Sequence, residues 1–314
     1  MSGFTLSGGL SFSGGFTFTE APAITNTAAW FSGGAPSVRS TVDRITFATD
    51  TAAASVRGPL SAARIRFAAA GNTTDGWFGG GTDDIGNKST VQRITYATDT
   101  ATASVRGPLS LARQSLAAAG NDTDGWFGGG DPNGSRVDRI TYATDTDTAS
   151  VRGSLGLART YLAATGNTTA GWFGGGSYFS TPQSLVTRIT YATDTATASV
   201  RGPLSSARAY LAAAGNTTDG WFGGSKYGPY MSTVDRITYA TDTAIASVRG
   251  PLSTARDFIA AAGNFTDGWF GGGYVGYQLS TVDRITYATD TATASVRGGL
   301  STARYQLAAA GGIQ

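Results

Sequence analysis

Residues 75–81 read DGWFGGG, and the phrase returns unchanged at 124–130 and 267–273. Near copies stand at 170–176 (AGWFGGG), 219–225 (DGWFGGS) and 28–34 (AAWFSGG). All six tryptophans of the chain lie in it: Trp30, Trp77, Trp126, Trp172, Trp221 and Trp269. Their spacings are 47, 49, 46, 49 and 48 residues. Other anchors keep the same period. RIT places Arg44, Arg93, Arg139, Arg188, Arg236 and Arg284, and SVRG places Arg57, Arg106, Arg152, Arg201, Arg249 and Arg297. The pair AR places Arg64, Arg113, Arg159, Arg208, Arg256 and Arg304. Self-similarity at this period marks a repeat architecture and has to be read before anything else.

Each unit is a string of short strand signals. LAAAG is small and apolar, GWFGG is aromatic then glycine, TVDRITYAT alternates β-branched and polar residues, and TASVRG closes the unit. Turn signals separate them: GNTTDG, a variable loop, TDT and RGPLS. No apolar period of 3.6 residues extends far enough for a helix. Four strands in about 48 residues suit one blade of a β-propeller. The chain is therefore expected to be all-β: a six-bladed β-propeller with four-stranded blades over residues 24–314. The ends support a closed ring over an open solenoid. The first copy lacks LAAAG and the last stops at it. The C-terminal strand at 306–311 is expected to pair with the N-terminal blade at 29–34, removing both free edges. Residues 1–23 precede the ring as a short Gly-rich β arm, reading FTLSGG, LSFSGG and FTFTEA.

The order of an Arg, an apolar strand, a turn, an aromatic strand ending in Gly-Gly, a long loop and a strand with Tyr resembles the kelch repeat. It is thus similar to galactose-oxidase-like propellers. One departure stands out: kelch repeats carry a tryptophan on the fourth strand, where this chain has Ala101 or Thr102 and their equivalents. The aromatic weight has moved to WF on the second strand.

Composition narrows the chemistry. With no cysteine and no histidine, thiolate chemistry and the commonest general base are unavailable. Galactose-oxidase-type copper chemistry, which needs His and a Cys–Tyr crosslink, cannot be built. The only glutamate is Glu20, so a sialidase-like Tyr/Glu site is not expected despite the arginines. Asp83 with Asp84, or Asp131, are conceivable acid and base of a tailspike-type glycosidase, but they lie in variable loops without a partner pattern. The Asp of TDT is expected to cap its own turn rather than hold Ca2+. No cofactor and no metal are expected. Net charge is +2 without a basic block, so no nucleic-acid partner is expected. No apolar stretch is long enough for membrane insertion, and the N-terminus does not read as a signal peptide.

A feature written into every blade is expected to pack blades together. Trp and Phe at consecutive strand positions point to opposite faces, so each blade can reach both neighbours. The repeated Arg and Asp read as inter-strand or inter-blade ion pairs, and the Ala-rich first strand as the wall of an axial channel. Ligand binding should lie where the copies disagree, in the loops after the glycines. These read APSVRS (35–40), TDDIGNKS (82–89), DPNGSR (131–136), SYFSTPQSLV (177–186), SKYGPYMS (225–232) and YVGYQLS (274–280). Alternating strand direction puts all six on one face beside the RGPLS turns, with GNTTDG and TDT on the other. The last three are aromatic, so Tyr178, Phe179, Lys226, Tyr227, Tyr230, Tyr274 and Tyr277 are the candidate ligand-binding residues.

Near-identical, tyrosine-rich GGG–loop–STVDRI propellers with a Gly-Gly leader resemble structural proteins of marine bacteriophage (cyanophage) virions. That resemblance implies a tail fibre or other virion appendage, folded in the host cytoplasm. It also implies a host cell-surface glycan or receptor protein as partner. Residues 1–23 are then expected to dock on other virion proteins or to form a homo-oligomer. The alternative for the arm is a strand on its own propeller; the alternative for the whole is an intracellular kelch-like interaction scaffold.

Overall fold

A computed structural model describes residues 27–226 and 228–311. The N-terminal arm and Tyr227 lie outside the described residues. Six four-stranded antiparallel sheets form the blades of a β-propeller. In blade 2 the strands are Ala68–Gly71, Asp75–Gly79, Val91–Thr95 and Ser104–Arg106, in that spatial order. Blades 3 to 6 repeat this plan, opening at Gln114, Ala163, Ala212 and Ala260. Blade 1 is assembled from both ends of the chain. Ala308–Gly311 pairs antiparallel with Ala28–Ser32, in the register Ala29 to Gly311 through Ser32 to Ala308. The expected closure therefore holds, with a shorter overlap than 306–311 on 29–34. Gln306 turns out of the sheet with φ at +58°.

The third strand is shorter than its sequence suggests. TVDRIT is strand, but the following Tyr-Ala-Thr winds into a single 310 turn in every blade but the first, where Phe-Ala-Thr takes its place. That turn tips the tyrosine ring onto the preceding blade. Tyr96 stacks on Trp30, Tyr142 on Trp77, Tyr191 on Trp126, Tyr239 on Trp172 and Tyr287 on Trp221, with centroids 3.7–3.8 Å apart. Phe47 of blade 1 completes the circle on Trp269 at 3.9 Å.

The core is correspondingly divided into six interblade clusters. Trp77 packs with Phe127, Leu116, Ile140 and Tyr142 of the next blade, while its neighbour Phe78 packs with Trp30, Val42 and Leu60 of the previous one. Consecutive side chains do serve opposite faces, as the strand period requires. The six tryptophans are buried in these interfaces.

The TDT aspartate works differently from its expected role. Asp99 is buried, and its Oδ2 accepts hydrogen bonds from Trp30 Nε1 at 2.8 Å and Arg44 Nη1 at 3.2 Å. Arg57 Nε approaches the same oxygen at 3.5 Å. All three donors belong to the preceding blade. Asp145, Asp194, Asp242, Asp290 and Asp50 hold the equivalent tryptophans at 2.8–2.9 Å. The TDT aspartate thus caps its neighbour, not its own turn, while the threonines on either side of it stay exposed. Gly58 shows how close this contact is. Its N–H bonds to Asp99 O at 2.8 Å, and a Cβ there would lie 2.0 Å from Ala101 O.

GNTTDG behaves as a turn should. Asn72 Oδ1 accepts from Thr74 N and Asp75 N, and its Nδ2 donates across the interface to Asp122 O.

Candidate functional site

The variable loops and the RGPLS turns share one face, and the first strands enter the ring from it. Immediately before each first strand, two residues after the AR arginine, the backbone becomes left-handed. The residues are Arg66, Ser115, Tyr161, Tyr210, Phe258 and Gln306, with φ between +56° and +64° except Phe258 at +52°. None is glycine. The reason lies in their hydrogen bonds. Each N–H turns away from its own blade and donates to the same position of the blade before: Ser115 to Arg66, Tyr161 to Ser115, Tyr210 to Tyr161, Phe258 to Tyr210, Gln306 to Phe258 and Arg66 to Gln306. The result is a closed circle of six backbone hydrogen bonds around the axis. A left-handed non-glycine residue costs about 1–2 kcal/mol. Such strain persists where surrounding structure over-determines it, and functional sites are where it gathers.

The side chains of this circle line the mouth of the axial channel, above a wall of Ala69, Ala118, Ala164, Ala213, Ala261 and Ala309. The cavity measures about 130 Å3. That is near the size of engineered cavities which hold one benzene ring, so it is on the scale of one small ring. The Ala-lined channel matches expectation; the ring of unlike residues above it does not follow from the repeat pattern.

The mouth has two halves. Tyr161, Tyr210 and Phe258 form one aromatic run, with centroids 4.4 Å and 4.5 Å apart along it. Phe258 continues to Tyr305 at 5.9 Å, Tyr305 to Tyr274 at 5.1 Å, and Tyr274 to Tyr230 at 6.2 Å. The other half is polar: Arg66, Ser115 and Gln306.

The residues expected to bind fall into separate places. Tyr230 and Tyr274 join the aromatic run at its outer end. Lys226 sits over the Tyr230 ring at 4.6 Å and donates to its hydroxyl at 3.4 Å, which raises the Lys226 ammonium pKa. Blade 5 alone extends its main hairpin into the loop, pairing Lys226 with Tyr230 beyond a bulge at Gly223–Ser225. Tyr178 and Phe179 do not reach the others. They pack on each other at 4.6 Å in a small hairpin of their own, Ser177–Tyr178 with Thr181–Pro182. With Asp131, Asn133 and Tyr161 they border a groove between blades 3 and 4, and Tyr161 and Ser115 line both groove and mouth. Tyr277 is exposed at the tip of the 274–280 loop. Asp83 is held by Lys88 at 2.8 Å and by the amides of Ile85 and Gly86, so it shapes its hairpin and its carboxyl pKa is lowered, first by Lys88. Asp131 ends the second strand of blade 3, where its carbonyl accepts from Asn87.

One acid in this region was not singled out by sequence. Asp257 is buried, one of its oxygens lacks a hydrogen-bond partner, and burial pushes its pKa up to about 7, opposed by Lys226. Its signal was available: the two positions after AR read IR, QS, TY, AY, DF and YQ, as divergent as the loops. Among the described residues no group of three or more His, Cys, Asp or Glu side chains gathers as a metal site, and no helix is long and apolar enough to cross a membrane.

Compared with known proteins, the chain matches no family model and no curated protein.

Proposed function

We propose that this propeller is a non-enzymatic binding protein, in a bacteriophage tail fibre or other virion appendage. It recognises a host surface glycan or receptor protein with the axial mouth and the loops at 177–186, 225–232 and 274–280. The observation that carries the binding reading is the contrast between faces. The interblade contacts of the core are repeated almost unchanged, whereas the loop face carries five residue types at the six positions around one cavity and a continuous run of aromatic rings beside it. Tyrosine suits such a surface because it offers rigid area with a hydrogen-bonding tip at little entropic loss. The virion setting rests on the resemblance drawn from the repeats and on the arm at 1–23, which would serve as the anchor.

The test is a glycan array probed with the full chain, beside Tyr161→Ala/Tyr210→Ala and Tyr230→Ala/Tyr274→Ala variants. Binding by the parent, lost in either double variant with the melting transition within about 2 °C of the parent, is the expected result. Retained binding in both variants rejects this face. The kelch-like blade order favours a second reading, an intracellular interaction scaffold. Capture of a cytoplasmic protein with no binding to any glycan would favour it over the virion reading. Mass spectrometry of purified phage particles tests the virion assignment directly: absence of the chain from them overturns it.

A further inference from the structure

Arg66 is one of three arginines outside the sixfold repeat positions, and it projects into the polar half of the mouth. Its partners are neutral amides. Gln114 Oε1 accepts from Nη1 at 3.3 Å. The Gln306 oxygen, with its amide turned toward the guanidinium, accepts from Nε at 3.1 Å and Nη2 at 3.2 Å. A guanidinium has five N–H donors in a planar fork, so two remain after these bonds. Most of the repeat arginines are engaged by buried aspartates. Arg66 is held in place by two side chains and left electrostatically uncompensated by them.

Two independent features stand beside it. Ser115, the next member of the circle, lines the cavity, is 5% exposed, and its Oγ has no hydrogen-bond partner. A buried hydroxyl without a partner is destabilising, and a group from a ligand in the mouth can supply the missing bond. On the other side Tyr161 lies 5.8 Å from the Arg66 guanidinium carbon and opens the aromatic run to Tyr210 and Phe258. One cavity therefore presents a cationic fork, a free hydroxyl and an aromatic wall, with room for a single ring.

We propose that the axial mouth binds the terminal uronic-acid ring of an acidic glycan, its carboxylate on Arg66, a ring hydroxyl on Ser115 and its apolar face on Tyr161 and Tyr210. This rests on the glycan-binding reading above and names the ligand class. A guanidinium and a carboxylate form two parallel charge-assisted bonds, which matches the two donors left on Arg66. An acidic peptide would satisfy Arg66 too. The ring-sized cavity and the run of aromatic faces beside it favour the sugar.

Isothermal titration of the full chain with a glucuronate-terminated disaccharide, its glucose-terminated isostere and a glutamate-terminated tripeptide tests it. The glucuronate form is expected to bind about tenfold or more tighter than the glucose form. Arg66→Gln should erase that preference by weakening the glucuronate form about tenfold, and Ser115→Ala should weaken both sugars. Arg66→Gln is a fair variant because Gln306 already occupies the same left-handed position of the circle. Equal binding of the two sugars overturns the uronate assignment and leaves glycan binding standing. A preference for glucuronate that survives in Arg66→Gln overturns the role of Arg66. Binding of the peptide alone overturns the sugar as ligand and favours a protein partner. No binding of any probe to the parent, together with a blank glycan array, overturns both this inference and the reading beneath it.

Discussion

Asp99 gathers three donors from the blade before it, and each would be stranded by its loss. Trp30 Nε1, Arg44 and Arg57 all converge on one oxygen in a buried interface. Removing one partner of a buried charged network typically costs about 3–5 kcal/mol. Asp99→Ala is expected to fall in that range by denaturant unfolding, and Asp99→Asn to fall short of it by keeping an acceptor for Trp30. An unchanged midpoint for Asp99→Ala would show that these contacts are incidental to stability. Asp257 gives a prediction of opposite character. Burial raises its pKa to about 7 in the folded chain, against roughly 3.9 unfolded. The folded state therefore holds a proton that the unfolded state releases between those values. The contribution of Asp257 to stability is therefore greatest below about pH 4, declines as pH rises toward 7, and is level above it. Asp257→Asn should remove this slope, so that its melting temperature gains on the parent's from pH 4 to pH 8. Parallel curves would contradict the raised pKa.

At the blade interfaces, left-handed backbone positions come from both neighbouring blades, and they differ in what the chain writes there. Gly80 (φ +72°) faces Arg113 O at 2.8 Å from where its Cβ would be. Its partner position in the inner circle, Ser115 in the next blade, is left-handed at φ +59° with a side chain. The two substitutions should therefore move stability in opposite directions. Gly80→Ala adds strain and a clash and should destabilise by about 1–2 kcal/mol or more. Ser115→Gly relieves strain and removes an unpartnered hydroxyl, and should stabilise by up to about 1 kcal/mol in urea unfolding. Loss of stability in Ser115→Gly would mean that the circle is not strained. The glycine half of this arrangement was legible, since GGG announces a special backbone. The inner circle was not, because Arg, Ser, Tyr, Phe and Gln carry no mark of positive φ.

At the scale of the whole ring, stability comes from six interblade interfaces closed into a circle. The strand Ala308–Gly311 closes the last of them, placing Ala308 and Ala310 in the cluster with Trp30 and Phe78. A chain ending at Leu307 loses this strand and leaves Ala28–Ser32 as an open inner edge, which is a template for pairing with another molecule. Its melting temperature should fall by about 5 °C or more, and size-exclusion chromatography should show dimers or larger species. A monomer with the parent's melting temperature would show that closure contributes little. The legible part of the candidate site also sorts by scale. Tyr230, Tyr274 and Lys226 were found from loop divergence and do meet. Tyr178 and Phe179 were grouped with them as aromatic residues of a neighbouring loop, yet their hairpin places them on a groove between blades 3 and 4 that meets the mouth only through Tyr161 and Ser115. Loop composition says which residues are available to bind; hairpin geometry says where they point.

The sequence by itself determined the number of blades, the four strands in each, the closing of the ring by its two ends and the role of the repeated Trp-Phe pair. Those follow from period and strand alternation, which are read within one repeat, and from two partial repeats at the ends that complete each other in the text. Only the tertiary structure decided what Asp99 and its equivalents hold, and which residues surround the axis. These contacts join positions some 50 to 70 residues apart, across interfaces whose geometry is fixed by the closed circle rather than by any one blade. The axial mouth belongs to that second group. It consists of one residue from each repeat, individually unremarked, brought together because each backbone turns to bond the blade before it.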